Sequence, residues 1–299
     1  MRQRVITGTL FALVVAAFII PGYWVAWPPI ILFVAVALLT SRELTHTLRH
    51  RGLRPNGFMA SAGSLLMLLP ILGAALFRNG SAGQVAGLTG QVAGGLSLMA
   101  FTLLTVMLFT AAAIVLKRGI DGLPDAVATA AIMGYVAFPL SCPVLLSFEI
   151  SGGYVWLLVG LVSPWISDCF AYFTGSLIGK HPIVPAISPK KTVEGFLGGM
   201  VGCMLVTSFV FILFRHRLEP IARPGWPVML FAMGSGLLLS LVSQLGDWLA
   251  SGIKRWCRVK DFGSILPGHG GILDRFDSAF FTLPVSLVLA VLFRLLIAG

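Results

Sequence analysis

Charged side chains are scarce in this chain, and their scarcity excludes an ordinary soluble domain. Only 11% of the 299 residues are Asp, Glu, Lys or Arg, whereas a soluble domain usually carries about a quarter. Hydrophobic residues make up 57% of the chain, and the mean hydropathy is +0.95. These values together indicate an integral membrane protein.

Closely spaced cysteines are lacking as well. The four cysteines lie far apart with no CxxC pair, so neither a disulfide framework nor a zinc site is indicated. The net charge of +10 does not indicate a nucleic-acid partner, because the basic residues occupy short loops between apolar runs. Membrane topology and phosphate binding explain these residues better.

Nine stretches are apolar and long enough to cross a bilayer, which requires roughly 20 residues. Turn signals such as PGYW, RGLRPNG and RPGW separate them. No small-residue cleavage site follows the first run, so we interpret it as a retained helix rather than a signal peptide. The sequence therefore predicts an all-α, polytopic membrane protein with spans at about residues 5–21, 24–40, 58–77, 93–116, 126–147, 154–178, 196–214, 227–250 and 278–297.

Lysine and arginine are distributed unequally between the two sides of these spans. If the N-terminus is cytoplasmic, sixteen of them fall in cytoplasmic segments and four in outer loops. Because cytoplasmic loops carry an excess of Lys and Arg, we predict this orientation in the cell inner membrane. Residues 1–125 are then an N-terminal part with about four spans, and residues 126–299 a catalytic part with about five spans and a site that faces the cytoplasm.

Acidic residues number only eleven, and four of them are predicted to lie near the cytoplasmic face. Asp168 and Asp247 fall late in helices that run inwards, whereas Asp274 and Asp277 fall at the start of a helix that runs outwards. Placing a carboxylate in or near hydrocarbon costs several kcal/mol of free energy, about 2.5–3.5 kcal/mol on insertion scales. These four residues are therefore functional candidates.

The stretch QLGDWLASGIKR predicts a polar helix face. Gln244, Asp247, Ser251 and Lys254 are three or four residues apart, so they share one side of a helix. Such a face either carries a function or is a polar seam that joins helices.

The stretch KDFGSILPGHGGILDRFDS, residues 260–278, concentrates charge before the last apolar run. Asp274 and Asp277 are one helical turn apart, and paired carboxylates bind hard cations such as Mg²⁺. Gly270 and Gly271 allow main-chain N–H groups to approach an anion, and the following helix N-terminus adds its positive dipole end. An acidic cap after a Gly-rich turn is the alternative, but the number of charged groups favours a functional site.

The stretch ISPKKTVEG is predicted to begin a helix. Ser188 followed by Pro189 is a typical start, and it would place Lys190 and Lys191 in the first turn. The helix dipole disfavours cations there, which indicates an anionic partner. Ordinary positive-inside loop composition is an equal alternative.

Two single residues allow several roles. Asp168, in SDCFAYFTGSLIGKH, either forms a structural ion pair or contacts metal or substrate. His269 is a candidate general base, phosphate donor or loop anchor. We favour a phosphate or loop contact, because phosphoryl transfer often needs no strong base. The stretch RELTHTLRHRGLRPNG is interpreted as a plain basic loop.

Carboxylates, cations and glycines beside a membrane helix together predict a site for a metal-bound polyphosphate. A lipid headgroup can reach such a site laterally. The reaction class is therefore phosphoryl or nucleotidyl transfer to a lipid.

Residues 251–277 resemble the signature of the phosphatidate cytidylyltransferase family. That signature reads S-x-x-K-R, four residues, K-D, then P-x-H-G-G-x-x-D-R-x-D. SDCFAYFTGSLIGKH and SPKKTVEG are similar to a second block of the family, so the resemblance covers about residues 163–277. All the fixed positions of the signature are present: Ser251, Lys254, Arg255, Lys260, Asp261, Pro267, His269, Gly270, Gly271, Asp274, Arg275 and Asp277.

The resemblance implies an enzyme that converts CTP and phosphatidic acid into CDP-diacylglycerol and pyrophosphate. It implies Mg²⁺ with a second, monovalent cation such as K⁺, and a homodimer in a lipid membrane. Its metal ligands are Asp247, Asp274 and Asp277, and Ser251 and Lys254 are catalytic. With the residues discussed above, the predicted substrate contacts are Asp168, Ser188, Lys190, Lys191, Thr192, Arg255, Lys260, His269, Gly270, Gly271 and Arg275.

Two other functions remain as alternatives. A CTP-dependent kinase of lipid alcohols would release CDP instead of pyrophosphate. A cation-coupled transporter would explain Asp168 and Asp247 but not the Gly-rich loop, and the broken helices in matching halves that it predicts are not evident.

Overall fold

A computed structural model describes residues 2–66, 88–185, 188–218 and 225–297 of the chain. Helices dominate it, which confirms the predicted all-α class. Two 3-10 turns span Ile20–Tyr23 and Ile120–Gly122. The α-helices are α1 (Arg2–Ile19), α2 (Trp27–Arg49), α3 (Gly57–Leu66), α4 (Leu88–Arg118), α5 (Leu123–Glu149), α6 (Gly153–Ile178), α7 (Val193–Leu213), α8 (Arg215–Leu218), α9 (Trp226–Trp256), α10 (Leu273–Phe276) and α11 (Ala279–Leu296).

Eight helical segments in the described ranges are long and apolar enough to cross a membrane. They correspond to eight of the nine predicted spans and confirm a polytopic membrane protein. The remaining window, 58–77, begins as α3, and its residues from 67 onwards lie outside the described ranges. Helices are expected here because hydrocarbon offers no partner to an unpaired main-chain group.

The chain forms two compact units, each built from two stretches of sequence. One unit contains Met1–Glu149 and Lys254–Phe276, and the other contains Ile150–Ile253 and Asp277–Gly299. The predicted division into residues 1–125 and 126–299 concerns function rather than compactness, and it stays a prediction.

In the first unit, α2 packs against α3 and α5. Phe33 of α2 and Met133 of α5 are fully buried. A glycine of α3 permits this packing, because a Cβ added at Gly63 would lie 2.6 Å from the Met133 Cε atom.

In the second unit, α6 and α7 pack closely against each other. Added Cβ atoms would lie 2.7 Å from the Ala171 carbonyl oxygen at Gly195 and 2.8 Å from the Ser167 carbonyl oxygen at Gly199. Small residues at this spacing let two membrane helices approach to backbone contact. The pairing brings Asp168 on α6 near the segment that precedes α7.

The predicted helix start at Ser188 is wrong. Ser188–Thr192 forms a strand, β2, that pairs antiparallel with β1, Pro182–Val184. Helix α7 begins only at Val193, where the Thr192 hydroxyl accepts a hydrogen bond from the Gly195 N–H at 3.2 Å. Thr192 is therefore the N-cap. The main chain that precedes it is hydrogen-bonded to β1 instead of forming a helical turn. Lys190 and Lys191 precede the helix instead of lying in its first turn.

Candidate functional site

Asp274 is the centre of the polar contacts in the first unit. Its Oδ1 atom accepts a hydrogen bond from the Lys254 ammonium at 2.8 Å. Its Oδ2 atom accepts the N–H groups of Phe262 at 2.8 Å and Gly271 at 2.9 Å. Only 4% of the Asp274 side chain is exposed. Both carboxylate oxygens of Asp274 are therefore held in place by hydrogen bonds.

The PGHG sequence forms a tight turn. The His269 N–H donates to the Leu266 carbonyl at 2.8 Å, and Gly268 between them has a φ of 77°. This is the geometry of a type II turn with Pro267 at its second position. Gly270 also has a positive φ, 81°. Gly268 is therefore required by the turn, and Gly270 by the left-handed backbone conformation directly after it.

A carboxylate from α2 completes this loop. Glu43 is buried and accepts the N–H groups of Ile272 at 2.9 Å and Leu273 at 2.8 Å. The main-chain donors at residues 271–273, which the sequence suggested for an anion, thus bind Asp274 and Glu43. Sequence reasoning missed Glu43, because it placed residues 42–49 in a basic loop whereas α2 continues to Arg49. An isolated acid directly after an apolar run was the available signal.

His269 and Arg275 stabilise the same loop. The Arg275 Nε and Nη2 atoms donate to the His269 carbonyl at 3.1 and 2.9 Å. A Cβ added at Gly8 of α1 would lie 3.3 Å from His269 Nε2, so the imidazole packs against that helix. Of the three roles considered for His269, these contacts favour the loop anchor.

The second unit contains a polar network around Lys191. Its ammonium lies 2.5 Å from Asp247 Oδ2 and 2.7 Å from Gln244 Oε1. The Gln244 amide donates to the Ser167 hydroxyl at 3.3 Å, and that hydroxyl lies 2.8 Å from the Ser240 hydroxyl. Gln244 and Asp247 of the predicted polar face of α9 thus both bind Lys191 of β2. The predicted cation of that face, Lys254, binds Asp274 instead.

A cavity of about 390 Å³ adjoins this network. Volumes of a few hundred Å³ are typical of small-molecule sites. Polar residues from α6, β2 and α9 line it together with aromatic rings. They include Asp168, Tyr172, Ser188, Lys191, Thr192, Phe196 and Gln244. Four predicted contact residues, Asp168, Ser188, Lys191 and Thr192, thus meet at one cavity.

Asp277 lies just beyond the single turn of α10 and is buried. Its Oδ1 atom accepts the Ser278 N–H at 2.7 Å. A Cβ added at Gly246 would lie 3.2 Å from the Asp277 carbonyl oxygen and 2.9 Å from the Ser278 Cα atom. The residue next to Asp247 on α9 therefore contacts the main chain of Asp277.

The other predicted residues are less constrained. Ser251 is half-buried on α9, one turn after Asp247. Arg255 and Lys260 are exposed. Lys190 lies on β2, and its side chain is outside the described part of the structure.

The donor set is chemically suited to a hard cation. Carboxylate oxygens are the ligands that Mg²⁺ prefers, and those of Asp247 and Asp274 already attract lysine ammonium groups. Across the described residues, no three His, Cys, Asp or Glu side chains form a group that could hold a metal ion. The three-aspartate set for Mg²⁺ stays a prediction.

Comparisons with known proteins agree with the resemblance. The model of the "Cytidylyltransferase family" matches residues 2–293. A phosphatidate cytidylyltransferase of Staphylococcus haemolyticus is 44% identical over 141 residues, which are 47% of this chain and 51% of that protein. Proteins of the same name from Staphylococcus saprophyticus and Staphylococcus aureus are 43% identical over 141 residues, again 47% of this chain and 51% of each relative. The matched part spans about half the length of these curated relatives.

Proposed function

This chain belongs to the cytidylyltransferase family, and from that membership we propose that it transfers CMP from CTP to phosphatidic acid. The products are CDP-diacylglycerol and pyrophosphate. The observation that carries the proposal is the Lys254–Asp274 ion pair, held by two main-chain amides inside a complete family signature. The names of these relatives, phosphatidate cytidylyltransferases, support phosphatidic acid as the acceptor.

The proposed reaction is a single in-line displacement. An oxygen of the phosphatidate phosphate attacks the α-phosphorus of CTP and forms a new P–O bond. The bond from that phosphorus to the oxygen bridging to the β-phosphate breaks, and pyrophosphate leaves with the electron pair. The nucleophile is already anionic, so no general base is required.

The basic residues would stabilise the charge that develops on the leaving pyrophosphate. Lys191 lines the 390 Å³ cavity, and its ammonium group contacts Asp247. Lys254 lies beside Asp274, and the exposed Arg255 and Lys260 follow on the same segment. Thr192 and Ser188 add hydroxyl groups to the cavity wall, and Ser251 lies one turn from Asp247.

We propose Asp247, Asp274 and Asp277 as the ligands of Mg²⁺. When bound, this ion would neutralise phosphate charge and orient the triphosphate. The hydrogen bonds that these carboxylates accept from lysine ammonium and main-chain N–H groups would hold their oxygens in place for this role. A second, monovalent cation such as K⁺ is proposed from the family resemblance alone.

The cellular setting is also a proposal. The excess of Lys and Arg on one side supports a cytoplasmic N-terminus and a site open to cytoplasmic CTP. The resemblance supports a homodimer in the cell inner membrane. Mass photometry of the detergent-solubilised chain would test the dimer.

The activity is tested with purified protein, CTP labelled at its α-phosphate, and vesicles that contain phosphatidic acid. With Mg²⁺ we expect label in CDP-diacylglycerol and release of pyrophosphate in equal amounts. Chelation of Mg²⁺ should stop both. Release of CDP instead of pyrophosphate would indicate a lipid kinase and would refute the proposal.

A matched pair of variants distinguishes loss of a group in the proposed site from a general effect of replacing a lysine. Lys254→Met removes the cation from Asp274 and should abolish most of the turnover. Lys117→Met, which changes an exposed lysine at the end of α4, should retain it. Equal turnover in the two variants would contradict the proposed site.

A further inference from the structure

Glu43 is a buried acid that no part of the signature contains. Its side chain comes from α2, and 6% of the residue is exposed. Both carboxylate oxygens accept main-chain N–H groups that are more than two hundred residues away in sequence: Oε1 from Ile272 at 2.9 Å and Oε2 from Leu273 at 2.8 Å. Such a bidentate contact fixes both the position and the orientation of a peptide segment.

The segment that Glu43 holds leads directly to Asp274. The three N–H groups at residues 271–273 are shared between two carboxylates. Asp274 accepts the first and Glu43 the next two. The position of the Asp274 carboxylate therefore depends on Glu43 through two peptide units, although the two carboxylates use different donors.

Two glycines lie so close to this carboxylate that no side chain would fit. A Cβ added at Gly263 or at Gly271 would lie 2.5 Å from Glu43 Oε1. The main chain thus approaches Glu43 from two sides of the loop. Neither glycine has a positive φ, so the absence of a side chain, rather than the backbone conformation, is what the contact requires.

We propose that Glu43 is a positioning residue: it holds the Gly271–Asp274 segment so that the Asp274 carboxylate points towards Lys254. This inference rests on the proposed function for its catalytic consequence, but the positioning itself is a property of the loop. Displacement of a catalytic group by about 1 Å can reduce turnover about 100-fold. In this proposal Glu43 acts only through the loop, by the two hydrogen bonds to Ile272 and Leu273.

The test compares four forms of the full chain in detergent or nanodiscs: wild type, Glu43→Gln, Gly263→Ala and Thr40→Val. Glu43→Gln keeps the size of the side chain but turns an NH₂ group towards one of the two N–H donors. Gly263→Ala displaces the carboxylate without changing any polar side chain. Thr40→Val is the matched control, because Thr40 is buried on the same helix and its hydroxyl bonds only carbonyls of α2.

The first readout is hydrogen–deuterium exchange of peptides that cover residues 262–276. We expect about tenfold faster exchange there in Glu43→Gln and Gly263→Ala, with wild-type exchange in Thr40→Val. The second readout is turnover per folded molecule, which should fall about 10- to 100-fold in the first two variants with a higher Mg²⁺ concentration for half-maximal rate. Lower thermal stability with unchanged turnover and unchanged Mg²⁺ dependence would reduce Glu43 to a structural residue.

The two proposals fail in different ways. If wild-type protein makes no CDP-diacylglycerol, the proposed function fails, whereas the exchange data still decide whether Glu43 holds the loop. If Glu43→Gln does not fold, Gly263→Ala and the control still give both readouts. Wild-type exchange across residues 262–276 in the Gly263→Ala variant would overturn the positioning role.

Discussion

The Lys191 ammonium lies 2.5 Å from Asp247 Oδ2 and joins strand β2 to helix α9. About a quarter of each side chain is exposed, so the pair is neither fully dry nor freely solvated. Gln244 shares the same ammonium at 2.7 Å. Lys191 is therefore fixed at the cavity wall by two acceptors before any substrate enters.

Removal of this ammonium should lower activity strongly. In Lys191→Met we expect kcat/KM for CTP to fall about 100-fold, the usual effect of losing one group that stabilises charge in the transition state. Lys191→Arg keeps the charge and should lose less. Steady-state rates at varied CTP concentration provide the measurement.

The control for Lys191 is Lys180→Met. Lys180 is exposed in the loop after α6, so its replacement should change kcat/KM by less than about twofold. A similar loss in both variants would indicate that the effect comes from total basic charge and not from the Asp247 contact.

The beginning of α7 can be tested by stability. Thr192→Val removes the hydroxyl that caps this helix and should cost about 1 kcal/mol of unfolding free energy. Ser188→Ala should cost less than about 0.5 kcal/mol, because Ser188 lies on β2 and not at the helix start. Thermal unfolding of the two variants in the same detergent gives the comparison. A larger loss for Ser188→Ala would restore the helix start that the sequence suggested.

Thiol labelling tests the environment of the segment after α9. Cys257 is buried, with 1% exposed, and burial raises the pKa of its thiol although Arg51 nearby opposes the shift. Because only the thiolate reacts and a raised pKa means fewer thiolates at a given pH, Cys257 should label slowly at pH 7 and faster at pH 9.

Mass spectrometry after treatment with N-ethylmaleimide identifies the labelled cysteines. Protein unfolded in detergent and urea serves as the control, in which all four cysteines should react. Labelling of Cys257 at pH 7 as fast in the native protein as in the unfolded protein would contradict its buried position.

Hydropathy predicts most of the helices because lipid leaves few other choices for the main chain. The charged signature likewise predicts that residues 254–277 carry chemistry, which stays a prediction, and the structure shows Asp274 bonded to Lys254 within that segment. Local sequence patterns did not predict the structure where tertiary contacts determine the conformation or the partner of a residue. Pairing with β1 makes Ser188–Thr192 a strand despite a good helix-start sequence, and no local pattern shows that Lys191 reaches Asp247.

Glu43 illustrates a second limit. Hydropathy ended the second span near residue 40, where polar residues begin, but α2 continues to Arg49. The extension is stable because its polar side chains are bonded: Thr45 donates to the Ser41 carbonyl at 2.7 Å, and Thr47 to the Phe262 carbonyl at 3.3 Å. The partner of Glu43 is separated by 229 residues, so sequence spacing offers no means to find it.

The turnover of Asp274→Asn tests the central claim most directly. Asparagine can still accept main-chain N–H groups but has no charge for Lys254 or for a metal ion. With CTP labelled at its α-phosphate, phosphatidic acid and Mg²⁺, we predict that transfer of label to lipid falls by a factor of about 1,000 or more, while the protein still elutes as a folded species. Wild-type transfer by this variant at ordinary Mg²⁺ would contradict the Asp274 carboxylate as the centre of the reaction.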